Sequence, residues 1–482
     1  MISSNGTGPQ MADTPLNEEL QTLFETGKEN LATDWTLPGR LIADPDAFAV
    51  EQARVFGRSW VLLGHETEIP DAGDYVVRYI TDNQFVVCRD EDGSVRAFQN
   101  SCRHRGMQIC RAEQGNTSHF RCPYHGWTYS NKGNLVGVPA GKDAYGNKLD
   151  KSQWGLNPVP QLDTYRGLIF GTLNADAEPL IDYLGDIAFY LDIFCNRSNK
   201  GLEVVGVPQR WIVDTNWKLA SDNFVGDAYH TMWTHRSGAE LGYTAPDPAF
   251  GIHGEHVHTK GGHGLGMISP SDAAPVPGFQ GVPENIIEEA RTRLSPEQFK
   301  ISEQAAFIHG TVFPNFSFLH ATGGPDHKSP PVSYLTFRIW QPLGPNKTEI
   351  WSFHMVDKDS PADYKETSYK AYVRHFGAGG VVEQDDAENW RSITKALSGV
   401  MGRENLLNYQ MGRDYTEPDA NWPGPGIAYP LDFAEANQRA FWTHYLEQMT
   451  TSKSDAAAPD DAAPAAHSNG STASAPKEGV LS

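Results

Sequence analysis

The chain has 482 residues, enough for about three domains or for two if one of them is large. Hydrophobic residues make up 39% and charged residues 21%, which is typical of a globular protein rather than a disordered or fibrous one. The 39 Lys and Arg residues against 60 Asp and Glu residues give a formal net charge of −21, which repels phosphate backbones and anionic lipids. Nucleic-acid binding and membrane-surface binding are therefore excluded as first hypotheses.

The sequence also indicates the compartment. No apolar run approaches the about 20 residues needed to span a bilayer, and the N-terminal segment lacks the basic and apolar regions of a secretory signal. Five cysteines are too few for a disulfide framework in so long a chain, so we expect free thiols or metal ligands. We predict a cytoplasmic protein.

Composition divides the chain into five segments. Residues 1–32 and 452–482 are polar and rich in small residues, and we expect mobile tails because neither buries enough apolar surface to offset its conformational entropy. Residues 33–58 are expected to pack on the larger domain. Short β-type runs broken by turn residues fill 59–175 and predict a small all-β domain. Strands and helices without β-α-β alternation fill 176–451 and predict an α+β domain with an antiparallel sheet.

Hydrophobic periodicity predicts the helices of the larger domain. One amphipathic helix is expected over PLIDYLGDIAFYLDIF, and others near 283–306, 361–375, 384–398 and 432–449. The Gly- and Pro-rich stretch 251–280 is expected to be a long loop, and a lid near a substrate entrance is one role that such a loop can have. We expect its histidines to be solvated: His253, His256, His258 and His263.

Two pairs of metal-ligand residues stand 17 residues apart, as Cys102-x-His104 and Cys122-x-x-His125. In a Rieske [2Fe–2S] cluster two thiolates hold one iron and two imidazoles hold the other. Zinc fingers instead pair Cys with Cys and His with His along the chain. The mixed pairs therefore favour a Rieske cluster over a zinc site. Cys110, which lies between them, is expected to be a buried apolar thiol.

A second set of metal-ligand residues lies in DNFVGDAYHTMWTH, where Asn223 precedes Asp227, His230 and His235. Two imidazoles and one carboxylate form the facial triad that binds Fe(II) and leaves positions open for O₂. On a regular helix at about 100° per residue, His230 and His235 would point about 140° apart, so we expect a helix end or an irregularity between them. Two histidines in such a pattern are also compatible with ordinary core packing.

The two motifs together carry a resemblance to a known family. C-R-H-R-G with C-P-Y-H-G-W, and N-F-V-G-D-A-Y-H, resemble the large subunits of Rieske non-heme iron aromatic-ring-hydroxylating dioxygenases of the naphthalene and biphenyl type. The resemblance covers about residues 35–450. It implies a Rieske domain shielded by Tyr124 and Trp127, and a catalytic domain with a curved antiparallel sheet covered by helices. It also implies the cluster ligands Cys102, His104, Cys122 and His125.

The same resemblance assigns roles around the catalytic iron. It implies that His230 and His235 are ligands and that Asp227, next to the catalytic Asn223, is an electron-transfer bridge to the Rieske histidine of a neighbouring subunit. Asp222 is a departure, since relatives often have Glu there. The segment GAGGVVEQDDAENW resembles the late E-x-D-D pattern of the family and implies Asp386 as the third ligand, with Asp385 as the competitor. Acidic residues favoured at a helix N-terminus would fit either assignment.

A mostly apolar set of residues is implied for the substrate pocket. Such a lining suits an uncharged arene, and the absence of Arg and Lys from it weighs against an aromatic carboxylate. A histidine in the set nevertheless leaves phthalate-like acids open. The set comprises Asn223, Phe224, Ala228, Thr231, Phe307, His309, Leu319 and Phe376.

The resemblance implies a terminal oxygenase that adds both atoms of O₂ to an aromatic ring to give a cis-dihydrodiol, with one [2Fe–2S] cluster and one mononuclear Fe(II). Electrons would come from a ferredoxin and an NAD(P)H-dependent reductase, since this chain has no convincing nucleotide-binding fingerprint. A small β subunit would complete an α₃β₃ hexamer. A Rieske monooxygenase or O-demethylase is the alternative, and a non-enzymatic zinc-binding interaction protein is a distant one.

Overall fold

A computed structural model describes residues 15–241, 253–270, 276–415, 417–431 and 433–452. Its helices are α1 (Glu18–Thr33), α2 (Arg40–Ala43), α3 (Pro45–Glu51), α4 (Gly141–Tyr145), α5 (Leu180–Leu184), α6 (Ile187–Cys195), α7 (Trp217–Phe224), α8 (Thr231–Thr234), α9 (Arg236–Glu240), α10 (Glu284–Arg293), α11 (Pro296–Gln304), α12 (Ala362–Phe376), α13 (Val381–Leu397), α14 (Val400–Arg403) and α15 (Ala436–Thr450). A single π-helical turn, Gln52–Phe56, extends α3.

The strands are β1 (Thr36–Pro38), β2 (Val61–His65), β3 (Asp74–Ile80), β4 (Asn83–Arg89), β5 (Val95–Gln99), β6 (Gln114–Asn116), β7 (His119–Arg121), β8 (Thr128–Ser130), β9 (Leu135–Gly137), β10 (Gln161–Tyr165), β11 (Leu168–Thr172), β12 (Leu202–Val204), β13 (Gln209–Val213), β14 (Gly254–His258), β15 (Gly264–Ile268), β16 (Phe307–Val312), β17 (Phe316–Gly323), β18 (Val332–Gly344), β19 (Lys347–Asp357), β20 (Leu406–Asn408) and β21 (Ile427–Tyr429).

Three small antiparallel sheets form the β-rich part that lies between β2 and β11. Their strand orders are β5-β4-β3-β6, β7-β8-β9 and β10-β11-β2. Alternate side chains of β3, β4 and β5 point into one apolar core, which Val77, Val86 and Phe98 share with Cys102 and Cys122. The two cysteines of the mixed motifs are therefore held by the packing of the sheets.

One large antiparallel sheet dominates the rest of the described residues. Its nine strands include the path β12-β19-β18-β17-β16-β15-β14-β21, with β13 also paired to β19. Both faces are buried: Phe318 and Phe337 pack against α5, α6 and α11, while Leu319 and Trp340 pack against α7, α12, α13 and α15. The predicted α+β class, with an antiparallel sheet covered by helices, is confirmed.

The N-terminal segment corrects the prediction of a mobile tail over 1–32. Within the described part of that range, α1 is a regular helix, and the side-chain oxygen of Asn17 accepts a hydrogen bond from the Leu20 N–H at its start. Leu20, Phe24 and Leu31 share one helix face and join the core that contains α15. The polar composition of the segment hides this narrow apolar face. Residues 1–14 and 453–482 lie outside the described residues.

The stretch 251–280 also differs from its prediction. It contains strands β14 and β15, which add to the large sheet through β16. His256 and His263 are buried, His258 is half-buried, and only His253 is exposed as expected. Glycine-rich sequence predicts a loop locally, but Gly264 lies in β15, paired with β14 and β16. A Cβ there would lie 3.0 Å from Val225, so glycine at this position allows close packing. The part of the expected lid at 271–275 lies outside the described residues.

A smaller difference concerns the amphipathic helix expected over PLIDYLGDIAFYLDIF. The chain forms two helices there, α5 and α6, with Gly185 between them at a φ of +47°. A residue with positive φ interrupts a right-handed helix, and glycine adopts that conformation readily. Across the described residues, no helix has the length and apolar character needed to cross a membrane.

Candidate metal centres

The two Cys-His loops share one backbone design. The carbonyl of Cys102 accepts a hydrogen bond from the Gly106 N–H at 2.8 Å, and that of Cys122 accepts one from the Gly126 N–H at 3.0 Å. Both glycines have positive φ, +74° and +72°, which allows each loop to turn back sharply. Residues within each five-residue segment thus determine the shape of both loops, and the surrounding sheets bring the two loops together.

The donor atoms of the two loops converge. The Nδ1 atoms of His104 and His125 lie 3.1 Å apart, and both cysteine thiols are buried. Burial, together with the neighbouring Cys122 thiol, raises the pKa of Cys102, so that a free Cys102 thiolate is costly and a bound metal would favour it. Two thiols and two imidazole nitrogens facing one another fit the donor set of a Rieske cluster.

Aromatic rings surround these histidines. The Trp127 ring stacks on His104 at 5.0 Å, and the Tyr124 ring lies 3.7 Å from that of His125. Trp127 is buried, as a shielding residue should be, but the Tyr124 side chain is 60% exposed. The half-buried His104 therefore stacks on a buried ring, whereas His125 lies against a ring that faces the surface.

Tyr129 is a functional candidate that the sequence reasoning did not identify. Its hydroxyl oxygen lies 3.3 Å from the Cys102 sulfur and accepts a hydrogen bond from the Arg103 N–H at 3.1 Å. Hydrogen bonds to cluster sulfurs tune reduction potentials. Cys110 is buried, which confirms the prediction of a buried thiol. Burial raises its pKa to about 12.

The second candidate metal centre lies around the short helix α8, which follows the end of α7. His230 precedes the first residue of α8 and His235 follows its last residue, so the expected helix end between them is confirmed. The two side chains thereby converge with that of Asp386, which lies in α13. Their ligand atoms all lie within 4.8 Å of one another. Two imidazoles and one carboxylate in this arrangement fit the donor set of a mononuclear iron site.

The two neighbouring aspartates differ in which imidazole nitrogens their carboxylate oxygens approach. The Oδ1 atom of Asp386 lies 3.3 Å from the Nε2 atoms of both His230 and His235. Asp385 instead places Oδ2 3.4 Å from Nδ1 of His235, on the far side of that ring. The geometry therefore favours Asp386 as the ligand and gives Asp385 a hydrogen bond to a ligand.

His230 has an equivalent carboxylate behind it. Oδ2 of Asp227 lies 3.4 Å from Nδ1 of His230, and Oδ1 of Asp227 accepts a hydrogen bond from the His230 backbone N–H at 3.1 Å. The Asn223 amide nitrogen lies 3.4 Å from the same Asp227 Oδ2. Each imidazole can thus donate its Nδ1 proton to a carboxylate and keep the Nε2 lone pair for a metal.

The pKa shifts reflect this concentration of charge. Burial acts to lower the pKa of His230, but Asp227 and Asp386 outweigh it and raise that pKa well above the ordinary value. Burial likewise acts to raise the pKa of Asp386, and the two imidazoles outweigh it in the opposite direction. The three ligand candidates therefore favour cation binding electrostatically, with the carboxylate ionised.

Several of the predicted pocket residues belong to the largest apolar core. Phe224, Leu319 and Phe376 are buried in it, and Phe307 packs against it. The His309 ring lies 5.3 Å from that of Phe307, and its Nδ1 donates a hydrogen bond to the Phe224 carbonyl at 3.2 Å. Two further residues lie at the start of α8: the hydroxyl of Thr231, its first residue, donates to the carbonyl of Ala228, in the preceding turn, at 2.7 Å.

A buried ion pair beneath the pocket was not predicted from the sequence. Arg338 of β18 and Glu383 of α13 are both fully buried, and Nη1 of the arginine lies 2.5 Å from Oε2 of the glutamate. Burial raises the pKa of Glu383 to about 7, against the lowering effect of Arg338. Glu383 is the Glu of the E-x-D-D segment, so the sequence pattern includes it. Nothing in the sequence indicates that Arg338 is its partner.

Comparisons with known proteins agree with this arrangement. The chain matches the Rieske [2Fe-2S] domain over residues 59–161 and the catalytic domain of the ring hydroxylating alpha subunit over residues 182–451. It is 59% identical to naphthalene 1,2-dioxygenase from Rhodococcus sp., solved bound to indole, with a TM-score of 0.89 and coverage of 90% of this chain and 99% of that chain.

Two further relatives are more distant. Biphenyl 2,3-dioxygenase subunit alpha of Rhodococcus jostii (strain RHA1) is 37% identical over 461 residues, which covers 92% of this chain and 94% of the relative. N,N-dimethyl phenylurea N-demethylase subunit alpha of Sphingobium sp. (strain YBL2) is 36% identical over 423 residues, with coverage of 86% and 91%.

The chain belongs to the ring-hydroxylating alpha subunits, a family of two-centre iron oxygenases. It is the large subunit of a Rieske-type aromatic-ring-hydroxylating dioxygenase, an oxidoreductase that acts as a terminal oxygenase on arenes. Its cofactors are a Rieske [2Fe–2S] cluster and a mononuclear iron. Members of this family are alpha subunits of multi-subunit oxygenase systems. Membership in the family excludes the alternative hypothesis of a non-enzymatic zinc-binding protein.

Proposed function

We propose that this oxygenase converts an uncharged fused-ring arene into a cis-dihydrodiol. The observation that carries the proposal is the 59% identity, over nearly the whole chain, to a naphthalene 1,2-dioxygenase. The buried apolar side chains of Phe224, Leu319 and Phe376, which we assign to the pocket, support it, because a flat apolar ring gains affinity from burial against such a lining.

The charges near the pocket argue against an aromatic carboxylate as substrate. Arg338 approaches the rings of Phe224 and Phe376, but Glu383 and a backbone carbonyl already engage its guanidinium. Burial lowers the pKa of His309 to about 4, so this imidazole is neutral at pH 7. Its Nδ1–H donates to the Phe224 carbonyl, and Nε2 therefore offers a lone pair, which attracts a hydroxyl or N–H and repels a carboxylate.

The proposed assignment of ligands follows the donor geometry. Cys102 and Cys122 would hold one iron of the cluster, and His104 and His125 would hold the other, while His230, His235 and Asp386 would hold the mononuclear iron. When bound, the mononuclear iron supplies O₂ binding and activation, and the cluster supplies electrons one at a time. The protein excludes water from the apolar pocket and holds both ligand imidazoles in the tautomer that keeps Nε2 unprotonated.

We propose further that Asp227 bridges to the Rieske histidine His125 of a second copy of this chain. The Asp227 side chain is 33% exposed in the single chain, and His125 is half-buried beneath the exposed Tyr124 ring. Exposure at both ends supports a contact that is completed by assembly. The assembly proposed is an α₃β₃ hexamer with a small β subunit, which receives electrons from a ferredoxin and an NAD(P)H-dependent reductase.

The proposed division of the chain places a Rieske domain at 59–175 and a catalytic domain at 176–451, with 33–58 packed on the latter. The family matches at 59–161 and 182–451 support these limits. The buried Glu51 supports the packing, because it bonds the side chains of Trp217, Lys218 and Tyr445.

N-demethylation of an aryl urea is the second candidate reaction, since a relative with that function is 36% identical. Product analysis separates the two. The oxygenase, supplied with ferredoxin, reductase and NADH, is assayed against naphthalene, biphenyl, phthalate and N,N-dimethyl phenylurea. We expect a cis-dihydrodiol from naphthalene with one NADH consumed per product, and little turnover of phthalate. Formaldehyde release from the urea with no dihydrodiol from any arene would reject the proposal.

A further inference from the structure

Arg338 lies at the centre of the catalytic sheet with its charge fully enclosed. It is paired with Ser317 of β17 on one side and with Ser352 of β19 on the other, and it has no exposed surface. A buried guanidinium is costly unless it is paired. Here Nη1 and Nη2 are bonded, whereas Nε, like Oε1 of Glu383, has no hydrogen-bond partner among the described residues, so the two bonded nitrogens carry the interaction.

Those contacts connect two helices that flank the iron-ligand candidates. Nη1 of Arg338 donates to Glu383 in the first turn of α13, and Nη2 donates to the backbone carbonyl of Phe376, the last residue of α12, at 2.8 Å. Glu383 is three residues before Asp386, so the two carboxylates lie one above the other on the same helix face. One side chain thus bonds a wall of the pocket and the helix that carries the ligand candidate.

The segment between the two helices, residues 377–380, turns tightly. It reads GAGG, and a Cβ at Gly380 would lie 2.4 Å from the His375 carbonyl oxygen, while one at Gly377 would lie 2.8 Å from that of Val373. Only glycine allows so close a turn. The Gly380 N–H donates to the Gly377 carbonyl at 2.8 Å, which closes the turn and holds the end of α12 next to the start of α13.

Aromatic rings enclose the guanidinium on the pocket side. Its central carbon lies 5.4 Å from the centre of the Phe224 ring, 5.1 Å from that of Phe376 and 5.6 Å from that of Trp340. Phe224 is the last residue of α7, three residues before Asp227. The ion pair therefore supports both helices from which the pocket and the iron site are built.

We propose that Arg338 and Glu383 are positioning residues, which together fix the orientation of the Asp386 carboxylate and the place of the Phe376 ring. The inference rests on the proposed function, in which Asp386 binds iron and Phe376 lines the pocket. It assigns one ion pair to two measurable properties: the retention of mononuclear iron and the choice of which ring edge is oxidised. Neither residue touches substrate or metal, so both act through Asp386 and Phe376.

The experiment uses the purified oxygenase with the single variants Arg338→Lys and Glu383→Gln and the double variant Arg338→Met with Glu383→Leu. The double variant replaces the pair with apolar side chains of similar length, an exchange that buried pairs often tolerate. It keeps the test valid if either single variant fails to fold. Two properties are measured: iron retained per acid-labile sulfide after challenge with a chelator, and the dihydrodiol ratio from phenanthrene, whose ring edges are inequivalent.

The folded variants, the double variant included, should lose mononuclear iron about 10–100-fold more readily, as changes behind metal ligands commonly do. Their dihydrodiol ratio should shift, while the Rieske spectrum stays unchanged. The matched control is Asp357→Asn, which breaks the equally buried Arg197–Asp357 pair in the same domain. It should lower stability but leave iron retention and product ratio at wild-type values.

Three results would overturn the inference. Wild-type iron retention and product ratio in the double variant would show that the pair serves folding alone. A change in one property without the other would refute their coupling, and equal effects in Asp357→Asn would show a general loss of stability. Asp386→Ala, measured in parallel, distinguishes failure of the proposed ligand set, because an iron-replete Asp386→Ala protein would reject that set directly.

Discussion

The clearest test of the iron site compares two aspartates that are adjacent in sequence. Asp386 places one oxygen 3.3 Å from both ligand imidazoles, whereas Asp385 reaches only the far nitrogen of His235, at 3.4 Å. Asp386→Ala removes one of three protein ligands, and we expect it to abolish mononuclear iron binding and turnover. Asp385→Ala removes only a hydrogen bond to a ligand. The expected loss of iron affinity is about 10–100-fold, or about 1.4–2.7 kcal/mol.

The measurement is a titration of iron-depleted protein with Fe(II), in which bound iron is normalised to acid-labile sulfide so that the Rieske cluster serves as an internal standard. At excess Fe(II) the Asp385→Ala protein should retain most of its iron, and the Asp386→Ala protein should retain that of the cluster alone. Glu388→Ala is the matched control, because Glu388 is an exposed acidic residue on the same helix. The reverse order of the two aspartates would refute the reasoning from geometry.

Three further outcomes are expected. Cys122→Ser or His104→Cys should abolish the visible absorption and the reduced-state paramagnetic signal of the cluster while mononuclear iron remains, and a variant with full absorption would reject the cluster assignment. Asp227→Asn with both centres filled should show slow reoxidation of the reduced cluster in a single turnover with substrate and O₂; a wild-type rate would rule out the bridge. His263 is neutral when folded, since burial lowers its pKa to about 4, and it titrates near 6.5 when unfolded. Its contribution to the free energy of unfolding is therefore complete above about pH 6.5 and falls by up to about 3 kcal/mol toward pH 4. His263→Gln should make the melting temperature fall less steeply between pH 7 and 5, and an unchanged slope would contradict this.

Short-range sequence carries most of the information about the cluster loops. Each Cys-His pair and its following glycine lie within five residues, so loop shape, donor type and order along the chain are readable together. The α+β class was likewise predictable, because the period of apolar residues reports local backbone conformation whatever the element packs against. The helix end between His230 and His235 followed from angular spacing on a helix.

Features that depend on distant contacts were not readable in this way. The segment at α1 contains many good helix formers, but α15, which covers its apolar face, lies more than 400 residues later. His256 and His263 lie in glycine-rich sequence and are buried because β15 pairs with β16. In this second case local propensity is weak, and the burial that decides the conformation comes from a partner that no sequence window contains.

The iron site shows the same division at the level of single atoms. The resemblance implied Asp386 rather than the adjacent Asp385 as the third ligand. Spacing alone does not say which of the two faces the histidines, because a helix turns neighbouring residues about 100° apart. The packing of α13 against the sheet sets that rotation, and the buried Arg338–Glu383 pair contributes to the packing. The chemistry of a metal ligand is a property of its residue type. The direction in which its side chain points depends on how remote elements pack, and this direction is therefore visible only in the folded chain.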